Sequence, residues 1–324
     1  MNGAPAGWTA LPTRRDPRWT LPRGPRTLAT KSLRIYQPVT LKAHAGWSAA
    51  RLVASLGGFR LLPTSRVEPL GVASALEPYL RRFRIVALAR ANHPARFVAL
   101  LADERGLRAV AKFATDDAGR AVLGREGNAI EELGPLLPPP LFPPRVLDRG
   151  EGHLILNVVD WQPRLASWRL PEEVADALGR FFAGGVQEAS AGEASPVGPA
   201  HGDFAPWNLF RTRSGWTLLD WEEARRRDPP FFDLFHYLVR AHAHLRHPTR
   251  RQLLTGLDGS GWVGRAIRAY ASGAGLRFDN APEYLRRYLE ESSRPVPLGR
   301  STESKQLHAR QSLLHELERT RGRS

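Results

Sequence analysis

The hydrophobic pattern changes period near residue 160, and that switch limits the folds open to this chain. Residues 84–89 (RIVALA), 97–102 (FVALLA) and 107–114 (LRAVAKFA) are short apolar runs bounded by turn residues, the pattern of buried strands. From about 118 to 133 the apolar residues recur at helical spacing. A Pro-rich connector, PLLPPPLFPP, follows, and 145–159 reads as a hairpin turning at Gly150–Gly152. Beyond Asp160 the period becomes helical over 171–187, 230–246, 262–273, 282–292 and 304–319, broken by a short β-hairpin near 208–220. Strands followed by helices predict an α+β, two-lobed architecture: an antiparallel β-sheet N-lobe with one helix, then a mainly helical C-lobe. A ligand is expected in the crevice between lobes. The boundaries predicted are an N-terminal extension over 1–80, an N-lobe over 81–160 and a C-lobe over 161–324.

The extension is rich in Pro and Arg. Residues 27–37 (TLATKSLRIYQ) read as a strand. Residues 42–57 carry Trp47, Leu52, Val53 and Leu56 at helical spacing, with Arg51 on another face. This helix is expected to pack on the body of the protein rather than lie on a membrane. The chain has no cysteine and no apolar run long enough to span a bilayer, and its first residues lack a secretory apolar core, so a cytoplasmic protein is expected. The net charge is +15, and only Lys31, Lys42, Lys112 and Lys305 among the 47 basic residues are lysines. The arginines are dispersed, which fits residue usage better than a nucleic-acid or membrane interface.

The chemistry concentrates in HGDFAPWN, residues 201–208, followed by LFRTRSGWTLLDW. It is approached through an Ala/Gly/Ser/Pro stretch at 189–200 that reads as flexible. A turn centred at Arg213 to Gly215 folds Asn208 back towards Asp220, bringing two oxygen-bearing side chains to one end of a hairpin. Mg²⁺ takes such oxygen ligands, few from protein and the rest from phosphates and water. Asp203 lies on the loop leading into that hairpin, where a carboxylate can accept the proton of an attacking hydroxyl. His201 and Gly202 shape the loop.

HGDFAPWN, with LLDWEEA and DPPFFDL behind it, resembles the aminoglycoside phosphotransferase and choline kinase family, which has a protein-kinase-like fold. The resemblance covers roughly 81–240 and leaves 1–80 outside it. It implies transfer of the γ-phosphate of ATP or GTP to a hydroxyl of a small molecule such as a sugar, amino alcohol or aminoglycoside. Asp203 would be the base, Asn208 and Asp220 the Mg²⁺ ligands, Trp221 the residue after the metal aspartate, and Asp233 a structural residue. The family also requires a Lys on the third strand to bind the α/β-phosphates and a helix Glu to hold it. Lys112, kept between apolar residues in a chain that otherwise writes Arg, fits the first role. Glu126 shares an inward stripe with Val122, Ile130 and Leu133 and is the expected partner of Lys112. RANHPAR replaces the glycine-rich loop, so Asn92, His93 or backbone amides would contact the phosphates. The hinge, with adenine bound through backbone groups, is expected at Asn157–Asp160.

His236, His242, His244 and His247 do not share a helical face and read as a surface cluster rather than a metal site. Phe204, Trp207 and Trp221 suit either an acceptor pocket or lobe core. Of Glu222 and Glu223, one is expected to face the acceptor and the other water. Two alternatives remain open at this stage: a catalytically silent binding protein of the same fold, and a protein that associates with nucleic acid or an anionic membrane.

Overall fold

The computed structural model describes residues 7–12, 17–64, 73–91, 95–186, 196–293 and 301–321. These divide into two compact units, one drawn from residues 1–130 and 144–165, the other from 131–143 and 166–324.

The first unit is built on a seven-stranded sheet. Its N-terminal part contributes β1 (Trp8–Pro12), β2 (Pro17–Pro22), α1 (Arg26–Ser32), α2 (Leu41–Ser55) and α3 (Ala73–Leu80). Next come β3 (Arg84–Arg90), β4 (Arg96–Asp103), β5 (Gly106–Ala114) and α4 (Asp117–Leu133). A two-residue strand, β6 (Leu141–Phe142), belongs to the other unit. The hairpin of β7 (Val146–Gly150) and β8 (His153–Asn157) completes the sheet, whose order is β1-β2-β3-β4-β5-β8-β7 with every neighbour antiparallel.

Strand alternation sends the side chains of this sheet into two cores. One holds Val86, Ala87, Leu100 and Ala102 with Leu21 of β2 and Leu28, Leu33, Trp47, Ala54 and Phe59. The other holds Leu88, Ala99, Leu101, Ala111, Phe113 and Ile155 with Leu76 of α3. The N-terminal residues therefore cover the sheet, and β2 pairs with β3 (Trp19 opposite Ala89) across the boundary expected at residue 80.

The strand expected at 27–37 is not formed. Those residues make α1 and a 3₁₀ turn at Leu33–Ile35. Leu28, Ala29, Ser32 and Leu33 fall on one helical face and are buried, so tertiary packing overrides the β preference of Thr27, Ile35 and Tyr36. The helix expected at 42–57 is α2, with Thr40 capping it by accepting from the Ala43 amide. Only one of its faces packs on the unit. Trp47 is buried and donates to the Leu33 carbonyl, while Leu52, Val53 and Leu56 face outward.

The second unit is mainly helical: α5 (Glu172–Gly184), α6 (Phe232–Leu245), α7 (Arg250–Gly256), α8 (Gly261–Ala274), α9 (Ala281–Ser292) and α10 (Ser301–Arg321). The five expected helices are present. The short α7, closed by a Thr249–Gln252 capping box, was not anticipated. Two small sheets carry the loops. In one, β10 (Leu209–Arg211) pairs antiparallel with β11 (Trp216–Leu218), which pairs parallel with β6, so part of the Pro-rich connector is a strand. In the other, β9 (Gly198–Ala200) pairs with β12 (Arg225–Asp228). Helices α5 and α8 meet backbone to backbone: a Cβ on Gly179 would lie 2.2 Å from the Tyr270 carbonyl oxygen. The α+β class expected from the sequence, an antiparallel sheet with a helix followed by a mainly helical unit, is the one observed.

Candidate active site

In the first unit, Lys112 stands in β5 between buried Ala111 and Phe113, opposite Val98 on one side and Leu154 on the other. Its Nζ donates to Glu126 Oε1 at 2.6 Å. Glu126 is fully buried on α4, on a stripe with Leu123, Ala129, Ile130 and Leu133. The helix is turned slightly from expectation, since Leu123 rather than Val122 points inward. Removing both charges from water is costly, and a charge-assisted hydrogen bond between them offsets part of that cost.

The other residues expected to serve the nucleotide are differently disposed. Asn92 and His93 lie outside the described residues. Asn157 ends β8, and its side-chain oxygen accepts from the Arg145 amide at 2.6 Å. Asp160 is exposed and paired with Arg34 at 2.5 Å. Both side chains are engaged within this unit.

In the second unit, the stretch expected to be flexible falls partly outside the described residues, and its end, β9, delivers the chain to His201. The His201 and Gly202 amides both donate to the Asp233 carboxylate, at 2.7 and 3.0 Å. Asp233 lies in the first turn of α6, so one carboxylate fastens the loop to a rigid helix. Gly202 has φ 80, and a Cβ there would lie 2.0 Å from the Glu223 carbonyl oxygen; only glycine fits. The buried His201 ring donates Nε2–H to the Leu219 carbonyl at 3.1 Å and stands edge-on to Trp221. Burial lowers its pKa to about 4, so it is neutral. Trp221 is buried and donates to the Leu218 carbonyl. Loop and hairpin are thus pinned together by buried residues.

Asp203 is half-buried between two sets of donors. Its Oδ1 accepts from Arg240 at 2.6 Å and lies 3.1 Å from His236 Nε2; its Oδ2 accepts from Asn208 Nδ2 at 3.0 Å. Burial alone would raise this carboxyl, but the His236 hydrogen bond and the Arg240 charge outweigh it and hold it well below the usual carboxylate range. His236 Nε2 is also 3.0 Å from Arg240 Nε; as donor it serves Asp203, as acceptor Arg240. Burial, with Arg240 beside it, lowers the His236 pKa.

Asn208 Nδ2 also donates to the Asp203 carbonyl at 2.9 Å. These two bonds orient the amide and leave Oδ1 as its acceptor. The Leu219 amide bonds the Asn208 carbonyl at 2.9 Å, so Asp220 follows directly at the same end of the hairpin. Asp220 is half-buried with φ 69. Glu222 is half-buried and Glu223 exposed.

The reading of His236 as a surface residue is overturned. It is buried against Asp203, with Tyr288 on its other nitrogen at 3.3 Å. His242, His244 and His247 go separately to Pro248, Gln306 and Trp168. Phe204 and Trp221 are core, whereas Trp207 is half-buried with the Arg240 guanidinium over its ring at 5.7 Å. Sequence reasoning missed Arg240 as well. The signal was available, since Asp233, His236, Tyr237 and Arg240 recur at i, i+3, i+4 and i+7 and share the face that carries the loop.

The sequence matches no family model and no curated protein. Among solved structures it is similar to a choline/ethanolamine kinase family protein from Mesorhizobium loti, at 14% identity over 77% of this chain and 96% of that one, with a TM-score of 0.48. It is similar to a protein from Thermobifida fusca described as a fructosamine-3-kinase, at 15% identity over 75% and 99% of the two chains, TM-score 0.47. A macrolide 2'-phosphotransferase from Brachybacterium faecium aligns at 15% identity over 73% and 97%, TM-score 0.44.

Proposed function

We propose that this chain is a small-molecule phosphotransferase that moves the γ-phosphoryl group of ATP or GTP to an alcohol hydroxyl. The observation that carries the reading is the fixed carboxylate of Asp203, on a loop clamped by Asp233 and joined through Asn208 to the hairpin of Asp220. The acceptor oxygen would attack the γ-phosphorus, the bond from that phosphorus to the β–γ bridging oxygen would break, and the hydroxyl proton would pass to Asp203. A carboxylate held so firmly in its ionised form is a weak base. Its contribution is a fixed acceptor that aligns the hydroxyl, with the proton received as the new bond forms.

The donor set suits a hard divalent cation: the Asn208 side-chain oxygen, left open by the bonds of its Nδ2, and the Asp220 carboxylate. Mg²⁺ held there would neutralise charge on the phosphate oxygens. Lys112, steadied by Glu126, would bind the α- and β-phosphates, and backbone groups near Asn157–Asp160 would take the base. Sugars, amino alcohols and aminoglycosides are the acceptor classes to test.

The test is Asp203→Asn. It should reduce transfer by about 10²–10⁴-fold while Mg·ATP affinity, read by calorimetry, stays close to wild type. Unchanged turnover would remove Asp203 as the base. A second reading is favoured by the Arg240–Asp203 pair, which leaves the carboxylate neutralised at rest: a nucleotide-binding protein without transfer. Mg·ATP binding with neither hydrolysis nor transfer across an acceptor panel would select it.

A further inference from the structure

Helix α2 is apolar on two opposite faces. One carries Trp47 and Ala54 into the core of the first unit. On the reverse, Leu41, Ala45, Ala49, Leu52 and Leu56 recur at i, i+4, i+8, i+11 and i+15 and are exposed. Leu41 is 75% exposed, Leu52 61% and Leu56 66%. Val53 flanks the stripe, and Leu61, in the 3₁₀ turn that follows, is 89% exposed. Single apolar residues on a surface are ordinary, but an aligned row is not. At the helical rise this row runs about 22 Å.

The charge carried by this segment has one sign, although one of its cations, Arg34, is paired with Asp160. Between Pro17 and Thr64 the sequence has eight Lys and Arg residues and no Asp or Glu. Lys42, Arg51 and Arg60 are exposed beside the stripe. Arg26 lies at its C-terminal end, with Nε 3.0 Å from where a Cβ on Gly57 would be. An apolar strip flanked by cations complements a surface that is anionic outside and apolar a few ångströms deeper. Nucleic acid would use the cations but leave the leucines in water. An anionic bilayer uses both, with basic side chains at the phosphates and the leucines at the acyl boundary. Among the described residues no helix is long and apolar enough to cross a membrane, so α2 would lie along the interface.

We infer that the outer face of α2, with the 3₁₀ turn after it, docks this protein onto anionic lipid membranes. This is independent of the phosphotransfer reading. The apolar row supplies depth and the cations supply preference for anionic headgroups.

The test uses the full chain with extruded vesicles of phosphatidylcholine alone or containing about a third phosphatidylserine, at about 0.1 M salt, where attraction to the surface still operates. Cosedimentation should occur with the anionic vesicles and fall at least about tenfold on the pure phosphatidylcholine ones. Leu52→Ser/Leu56→Ser should weaken binding by at least about tenfold without lowering the unfolding temperature, because both side chains are exposed. Because the chain has no cysteine, Ser48→Cys on the exposed side of α2 can carry a polarity-sensitive fluorophore without background. Its emission should shift to the blue on anionic vesicles, whereas the same label at Ser214→Cys, in the exposed β10–β11 turn, should not shift. The inference is overturned if the wild type fails to sediment, or if the double serine variant binds as the wild type does. A wild-type dimer that the serine changes make monomeric would overturn it too, by assigning the stripe to a second copy of the chain.

Discussion

The two buried charge arrangements are built in opposite ways. Lys112 and Glu126 stand on regular elements, a central strand and a helix, and meet in a short bond between a half-buried cation and a fully buried anion. Asp203 stands on irregular backbone and shares its charge among Arg240, His236 and Asn208. Losing one member should strand a charge in the first arrangement but only redistribute it in the second. On regular elements the geometry of a pair is fixed by the backbone ladder; a loop needs several anchors to hold one carboxylate.

The sharpest way to break this contrast is to remove one charge from each. Lys112→Met leaves Glu126 buried without its ammonium and should cost about 3–5 kcal/mol in urea unfolding. Adding Glu126→Leu should recover most of that loss, since the stranded carboxylate is gone. A cost near that of a surface change would mean the pair is solvated, and the contrast would fail.

Arg240→Met should cost less, about 1.5–3 kcal/mol, because His236 and Asn208 still hold Asp203. Arg240 is among the influences that keep the His236 pKa down, so its removal should raise that pKa. Imidazole resonances followed by NMR would register the rise. An unmoved His236 titration would show that the three side chains do not act as one group.

The smallest effect concerns the clamp. Burial raises Asp233 to about 7, against the two backbone N–H groups that pull it down. Between about 4 and 7 the folded chain holds a proton there that the unfolded chain has lost, so this contribution to stability is full below about 4 and disappears as pH rises to about 7. His201, lowered to about 4 by burial, has the opposite sign: its contribution is full above about 6.5 and is lost as pH falls to about 4. Between pH 5.5 and 6.5 the two slopes oppose each other. Asp233→Asn removes the first, so the variant should gain about 1 kcal/mol on the wild type over that single pH unit. Parallel stability curves would mean that Asp233 is ionised throughout.

How much of this was legible follows from the same contrast. The strands β3 to β5, helix α4, the Lys112–Glu126 pair and the hairpin between Asn208 and Asp220 could all be placed from sequence, because each obeys a local period or turn. His236 and Arg240 are legible only once Asp233 is known to hold the loop, because α6 is apolar around most of its circumference and their spacing gains meaning from that anchor. Residues 27–37 were misread because they favour strand locally and form a helix only when Leu28 and Leu33 find a core. The outer stripe of α2 was read as packing surface, since a helix apolar on two sides does not declare which side the protein covers.

The left-handed backbone of Asp220 has a consequence for how such a protein changes over generations. An aspartate at φ 69 gives up about 1 kcal/mol that glycine would not. On the proposed reading of Asp220 as a metal ligand, folding and chemistry want different residues at this position. A lineage selected only for heat resistance would have an easy step towards glycine and would lose a carboxylate from the end of the hairpin in taking it. A lineage that must keep the carboxylate is barred from that step and has to find thermal tolerance elsewhere, at exposed positions such as Arg250 and Arg251 of α7.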